Sequence, residues 1–288
     1  MNNTNGCDNK YIQSIHPCFN EQAHNTVGRV HLPVAIHCNI QCNYCGRGIT
    51  QDKNERRPGL TSKTVNPSEA MERLTTIMKE AETSNLKVVG VAGPAEPLAN
   101  EETFEVLKLV GEKFPQLIKC VSTNGLNLPQ FAGRLYDLNI NALTVTVNAP
   151  DEEIGAKIYE WVNWEGTVYK GEEGAKILIS NQLEGIKKIS RLGILIKVNT
   201  ILLPGINDQG IPAVAQRVKE AGAGLFNIMQ LVPANKFSHL KPADCLTMER
   251  IRGACEKIIP QFKACKRCRA DAVGIPGKGD VKESRLIF

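Results

Sequence analysis

Three cysteines stand within eight residues, Cys38, Cys42 and Cys45, in the segment CNIQCNYC. Iron–sulfur clusters are held by cysteine thiolates. Three thiolates on a four-iron cubane leave one iron open, as catalytic metal sites keep a position for substrate. An open iron can take an amino group and a carboxylate as a chelate. Structural zinc wants four protein ligands in paired spacing, so a lone triad fits it poorly. Farther on, Cys265 and Cys268 have C-x2-C spacing, which by itself suits half a zinc ribbon, a redox dithiol or a cluster. Cys120 alone reads as readily as a small buried hydrophobe. Cys7, Cys245 and Cys255 join no cluster and read as free thiols.

The elements that must position these residues alternate. Residues 30–36 form an apolar run that predicts a buried strand ending at the triad. Further strands are predicted over 86–92, 117–122, 142–147, 194–200 and 224–230. Helices are predicted over 67–82, 101–113, 129–138, 174–192, 208–221 and 248–259, the first with Asn66 as N-cap and Pro67 at its first position. Alternating strand–helix units argue for a parallel sheet with crossover helices. Six units make an α/β fold, a partial (β/α)6 barrel of the TIM type, whose chemistry sits in the loops after the strands. Those loops hold CNIQCNYC, GPAEP (93–97), STNG (122–125), NAP (148–150) and LLPGIND (202–208). Cys120 is expected at the end of the third strand, on the same rim. Residues 151–173, with Trp161 and Trp164, read as an extended loop covering that face. The organisation expected is an N-terminal leader (1–29), one catalytic barrel (30–260) and a cysteine-bearing tail (261–288).

Composition narrows the class. The 288 residues carry 35 Lys+Arg against 30 Asp+Glu, a net charge of +5 with no concentrated basic face, which argues against nucleic acid. With 42% hydrophobic and 23% charged residues the chain is globular in composition. No apolar run approaches the ~20 residues of a membrane span. The start, MNNTNGCDNKYIQ, has no apolar signal core, so ten cysteines are expected in a reducing, cytoplasmic setting, where crowded thiols mean metal or redox chemistry.

CNIQCNYC resembles the CX3CXΦC motif of the radical S-adenosylmethionine (SAM) superfamily, with Tyr44 as the aromatic residue, and GPAEP resembles its GGEP motif. The resemblance implies SAM as cofactor, on a cluster held by catalytic Cys38, Cys42 and Cys45. It also implies SAM contacts from Tyr44, Gly93, Glu96, Thr123, Asn124, Thr146, Asn148, Asn199 and Ile201. Two end segments are more specific. HPCFNEQAH (16–24) resembles the leader of the NifB family of nitrogenase cofactor biosynthesis proteins, and CKRCRADAVG (265–274) resembles its tail. GPAEPLAN and DEEIGAKIYEW are similar to that family as well, in its short, stand-alone form without a carrier-type domain.

This resemblance implies three [4Fe–4S] clusters, one binding SAM and two serving as substrates. It implies a maturase that fuses the two substrate clusters and inserts a SAM-derived carbide to give an [8Fe–9S–C] precursor. Cys265 and Cys268 match the ligands of one substrate cluster. Cys18, with His24 or His16 of the leader, matches the other, and Cys120 is the nearest thiol to join them. His31 and His37 read as structural or supporting, and Arg47 as a charge beside the triad or a solvated side chain. Expected partners are a cluster donor, an electron donor and a carrier or scaffold protein, with no nucleic acid and no membrane. Three rival readings are weighed: a radical SAM enzyme with auxiliary clusters acting on an organic or peptide substrate, a non-catalytic iron–sulfur scaffold or electron carrier, and a zinc-binding structural module.

Overall fold

The computed structural model of the chain describes residues 5–52, 55–80 and 85–278. It begins with two helices in the leader, α1 (Asn5–Ile15) and the single turn α2 (Glu21–His24), which Asn20 caps by accepting from the Ala23 N–H. Strand β1 (Gly28–His31) follows, then β2 (Ile40–Cys42), β3 (Gly48–Ile49) and β4 (Leu60–Thr61). Helix α3 (Pro67–Glu80) opens with the expected cap: Asn66 and Glu69 each accept the other's backbone N–H, a capping box. The residues to which the sequence would extend it, 81 and 82, lie outside the described residues.

The barrel then alternates β5 (Leu86–Val91), α4 (Glu101–Lys113), β6 (Ile118–Thr123), α5 (Leu128–Asp137) and β7 (Ala142–Thr146). An insertion follows, α6 (Glu152–Ile158), β8 (Tyr159–Trp164) and β9 (Thr167–Tyr169). The barrel resumes with α7 (Gly171–Arg191), β10 (Leu195–Leu202), α8 (Ile211–Ala221), β11 (Leu225–Gln230) and α9 (Cys245–Glu256), and the tail adds β12 (Val273–Gly274).

Six parallel strands lie side by side in chain order, β1-β5-β6-β7-β10-β11, as a curled partial barrel. Strand β12 extends the sheet by pairing antiparallel with β1, Arg29 opposite Gly274 and Val30 opposite Val273. The alternation along the strands sorts side chains by chemistry. In β7, Leu143 and Val145 enter the apolar core beneath the helices, whereas Thr144 and Thr146 line the barrel interior. In β10, Ile196 and Val198 face the helices while Lys197, Asn199 and Ile201 face inward. The interior is therefore open and carries polar side chains on a largely apolar wall, where many barrels are packed with branched apolar residues.

Several expectations are corrected. The first strand ends at His31 rather than 36, because Pro33 has no N–H to continue the ladder, and residues 32–39 run as a loop to the triad. Residues 151–173 are not a loop. They form a helix and a hairpin, and that hairpin pairs with the cysteine segment itself: Ile40 lies opposite Val162 and Gln41 opposite Trp161. Cys120 is the third residue of β6, paired with Gly90 and Ala142, so it lies inside the barrel and not on its rim. Gly90 has no side chain because a Cβ there would stand 2.6 Å from the Cys120 sulfur.

Candidate metal and cofactor centre

The open interior forms a cavity of about 300 Å3, within the range of small-molecule sites. It descends from the loops at the C-terminal ends of the strands to the third residues of β6, β7 and β10. Seven cysteines line it: Cys18, Cys38, Cys42, Cys45, Cys120, Cys265 and Cys268. Among the described residues no three His, Cys, Asp or Glu side chains converge tightly enough to hold a metal ion. The thiols are instead distributed around the walls. A donor set of soft thiols and imidazoles facing one cavity fits iron–sulfur clusters.

Burial pushes the thiols of Cys18 and Cys38 up to about 11, and it raises Cys42 and Cys120 as well. At neutral pH these four are protonated, so metal binding there displaces protons. Basic side chains stand beside the thiols. Arg47 directs one guanidinium nitrogen toward the Cys45 sulfur at 3.8 Å and donates with another to the Gln41 side chain at 3.0 Å. Arg29, 2% exposed, donates to the Cys268 sulfur at 3.1 Å and to the Gly274 carbonyl at 2.8 Å. Lys197 donates to the Cys18 carbonyl at 2.9 Å.

At the rim, Glu96 is 4% exposed and accepts three hydrogen bonds, from the Thr123 hydroxyl (2.5 Å), the Asn124 N–H (2.6 Å) and the Leu98 N–H (3.0 Å). Burial nevertheless lifts its carboxyl to about 7. Thr123, Asn124, Thr146, Asn199, Ile201 and Tyr44 line the cavity with it. Asn148 stands one layer behind, donating to the Tyr44 hydroxyl at 2.8 Å and accepting from the Ile201 N–H at 2.9 Å. Gly93 also stands outside the lining. Its φ of +133° is open to glycine, and a Cβ there would press on Ala270 at 3.2 Å.

The histidines separate. His24 lies outside the cavity lining; its Nδ1 donates to the Pro17 carbonyl at 2.8 Å and its ring meets Phe262 edge-on. His16 lines the cavity. Its Nδ1 accepts from the Cys18 N–H at 3.1 Å, so the neutral ring carries its proton on Nε2, and burial then Lys197 lower its pKa to about 3. His31 also lines the cavity, with Nδ1 donating to the Arg269 carbonyl at 2.9 Å, the backbone contact that usually orients a metal-binding imidazole. Lys197 is the residue absent from the sequence analysis, and His31, expected to be structural or supporting, stands on the cavity wall. Their signal was strand phase: each shares the inward face of its strand.

The tail motif is legible as a latch. Arg269 and Asp271 form a buried bidentate pair at 2.8 and 2.9 Å. Arg269 also donates to the carbonyls of Asp52 (3.2 Å) and Glu55 (3.0 Å) and to the Ser62 hydroxyl (3.0 Å). Asp271 accepts the Ser62 N–H, and the Ala270 N–H donates to Leu60. The tail thiols are thus tied to the β3–β4 segment that follows the triad. Cys245 is exposed and Cys255 is buried in the apolar core away from the cavity; the Cys7 side chain lies outside the described residues.

A sequence profile of the radical SAM superfamily matches residues 32–218. A FeMo cofactor biosynthesis protein NifB from Methanocaldococcus jannaschii is 48% identical over 277 residues, covering 96% of this chain and 90% of that relative. Relatives with the same name from Chlorobaculum tepidum and Azotobacter vinelandii are 44% and 37% identical; this chain spans 62% and 53% of their lengths. Among solved structures, a radical SAM methyltransferase from Sphaerobacter thermophilus superposes with a TM-score of 0.57 at 17% identity, covering 82% of this chain and 65% of its own. Streptococcus suis SuiB bound to S-adenosylmethionine gives 0.57 at 12% identity, covering 83% and 51%. These two share the fold.

Proposed function

The chain belongs to the radical SAM superfamily and, within it, to the NifB family, and from that premise we propose that it is a maturase of nitrogenase cofactor biosynthesis. Its reaction is the fusion of two [4Fe–4S] clusters with insertion of a SAM-derived carbide and addition of one further sulfide from outside the two clusters, a lyase-type radical SAM reaction giving an [8Fe–9S–C] precursor. The observation that carries this reading is the placement of seven cysteines around a single cavity, four more than SAM binding needs.

Cys38, Cys42 and Cys45 would hold the cluster that binds SAM, and that pair would supply one-electron radical chemistry at the mouth of the cavity. The chain's own residues position it. Glu96 accepts from the SAM amino group, the 93–97 backbone borders that group, and Thr123, Asn124, Thr146 and Asn199 offer hydrogen bonds to its polar edges. Tyr44, pinned by Asn148, packs beside the triad. The hairpin β8–β9 closes over the cysteine segment and excludes water from a reactive intermediate.

The substrate clusters are assigned to Cys265 and Cys268, and to Cys18 with Cys120. His31, protonated on Nδ1, is the imidazole placed to complete these sets from the cavity wall; His16 would join it only after releasing its Nε2 proton, while His24 serves them by ordering the leader. A cluster donor, an electron donor and a carrier complete the cycle. The test is anaerobic: reconstitute the chain with iron and sulfide, reduce it, and add methyl-labelled SAM. About twelve irons per chain, with label in a protein-bound cluster, supports the reading. About four irons, with all label left in methionine, overturns it.

A further inference from the structure

Lys197 is the third residue of β10 and lies 3% exposed inside the barrel. Its ammonium donates to the Cys18 carbonyl and stands 5.4 and 5.0 Å from the ring centroids of Phe19 and Phe262. Among the described residues, no carboxylate pairs with it. An ammonium has three donors, and one carbonyl satisfies one of them. Ring faces stabilise a cation without neutralising it. A buried charge left without a counter-ion is costly, so the position makes physical sense only if an anion shares the site. The open side is the cavity, which Lys197 lines together with Cys18 and Cys120. The space kept clear at Gly90 for the Cys120 sulfur opens the same inner end.

We propose that Lys197 is the counter-charge of an anionic iron–sulfur substrate cluster seated at the inner end of the barrel, against Cys18 and Cys120. This rests on the reading of those thiols as substrate-cluster ligands, and it gives the leader a second purpose. By accepting from Lys197 through its carbonyl, Cys18 fixes the cation and presents its own thiol in one move. The cluster then enters a site whose positive charge is already in place and needs no reorganisation when the anion arrives.

The test uses the full chain with Cys38→Ala, Cys42→Ala and Cys45→Ala, which leaves only the substrate sites. It is reconstituted anaerobically, its iron is counted, and its clusters are titrated electrochemically with electron paramagnetic resonance detection. Lys197→Arg, Lys197→Gln and Lys197→Met are then added in turn. Expected are about eight irons in the background and with Arg, falling to about four with Met and with Gln. Glutamine can still donate to the Cys18 carbonyl, so loss with Gln and retention with Arg tie the effect to charge. Any inner cluster that the Gln variant keeps should show a lower midpoint potential, because the charge that favours an added electron is gone. Circular dichroism of the metal-free variants should show Met and Gln folded, since removing an unpaired buried ammonium relieves a cost. About eight irons at unchanged potential in both the Gln and Met variants overturns the proposal and leaves the two-cluster reading standing. A background chain that takes up no iron overturns that reading, and the proposal falls with it.

Discussion

Arg269→Met isolates the latch between the tail and the β3–β4 segment. The substitution removes both arms of the pair with Asp271, two backbone carbonyl contacts and one hydroxyl contact. Asp271 is left buried with the Ser62 N–H and no cation opposite it. Breaking one half of a buried ion pair costs about 3–5 kcal/mol, most of it from the stranded charge. Replacing both halves, Arg269→Met with Asp271→Leu, removes the stranded charge, so the double variant should cost less than the sum by about 2 kcal/mol. Urea unfolding of the metal-free chain, followed by circular dichroism, measures each corner of the cycle. Although burial works against it, Arg269 and the Ser62 N–H hold the Asp271 carboxyl below the ordinary aspartate value of 3.8. Its contribution is therefore complete above that pH and is lost as acid carries the solution through the lower, folded value. Arg269→Met should flatten that acid arm. A cost below about 1 kcal/mol for the single substitution, or strict additivity in the double, would refute the reasoning.

Two further outcomes are expected. Glu96 titrates near 7 in the folded chain against an ordinary 4.5, so the folded chain binds a proton that the unfolded chain has released between those values. Stability should fall by about 3 kcal/mol as pH rises through that window. Urea midpoints at pH 5 and 7.5 read this, and a Glu96→Gln variant that keeps the same slope would count against it. Arg29→Met deletes the donor to the Cys268 sulfur, a charge-assisted contact of about 1.5–3 kcal/mol. Iron at the Cys265–Cys268 site should then pass to a chelator roughly ten- to a hundredfold faster. Release at the wild-type rate would show that the contact does not bear on the cluster.

Much of this architecture is readable in the chain because the alternation is strong. Leu143-Thr144-Val145-Thr146 already states which side of β7 meets the helices, and six such runs with intervening helical periods fix the barrel. What escaped the reading depends on contacts between distant segments. Nothing local in 151–173 says that Trp161 will lie opposite Gln41, because a strand's partner is set by the folded surface and not by its own sequence. The depth of Cys120 was misjudged because loop ends were weighed and strand phase was not. Lys197 is missing from the sequence analysis, and His31 is read there as structural or supporting, for the same reason: a polar residue in a strand is read by type, when its place on the inward face carries the information. Arg269 and Asp271 could be named from a motif, but their four hydrogen bonds to Asp52, Glu55 and Ser62 could not.

The pairing of β12 with β1 also has a meaning in time. Cys18 leaves the ribosome early, and the barrel strands follow in the order in which they lie in the sheet. Cys265, Cys268 and the Arg269–Asp271 pair come some 250 residues after the leader they meet. A nascent chain that has exposed only its first 200 residues holds the radical-generating triad but has no tail to complete the cavity wall. Domains fold as units, and Asn199 and Ile201 lie on β10, which pairs with β11, so neither end of the cavity is complete until the barrel and tail are. Iron delivered before residue 274 has paired with Arg29 would meet half a container. On the proposed reading, cluster loading waits for the last strand, and delivery of clusters to finished chains alone would leave no half-built wall of thiols to fill.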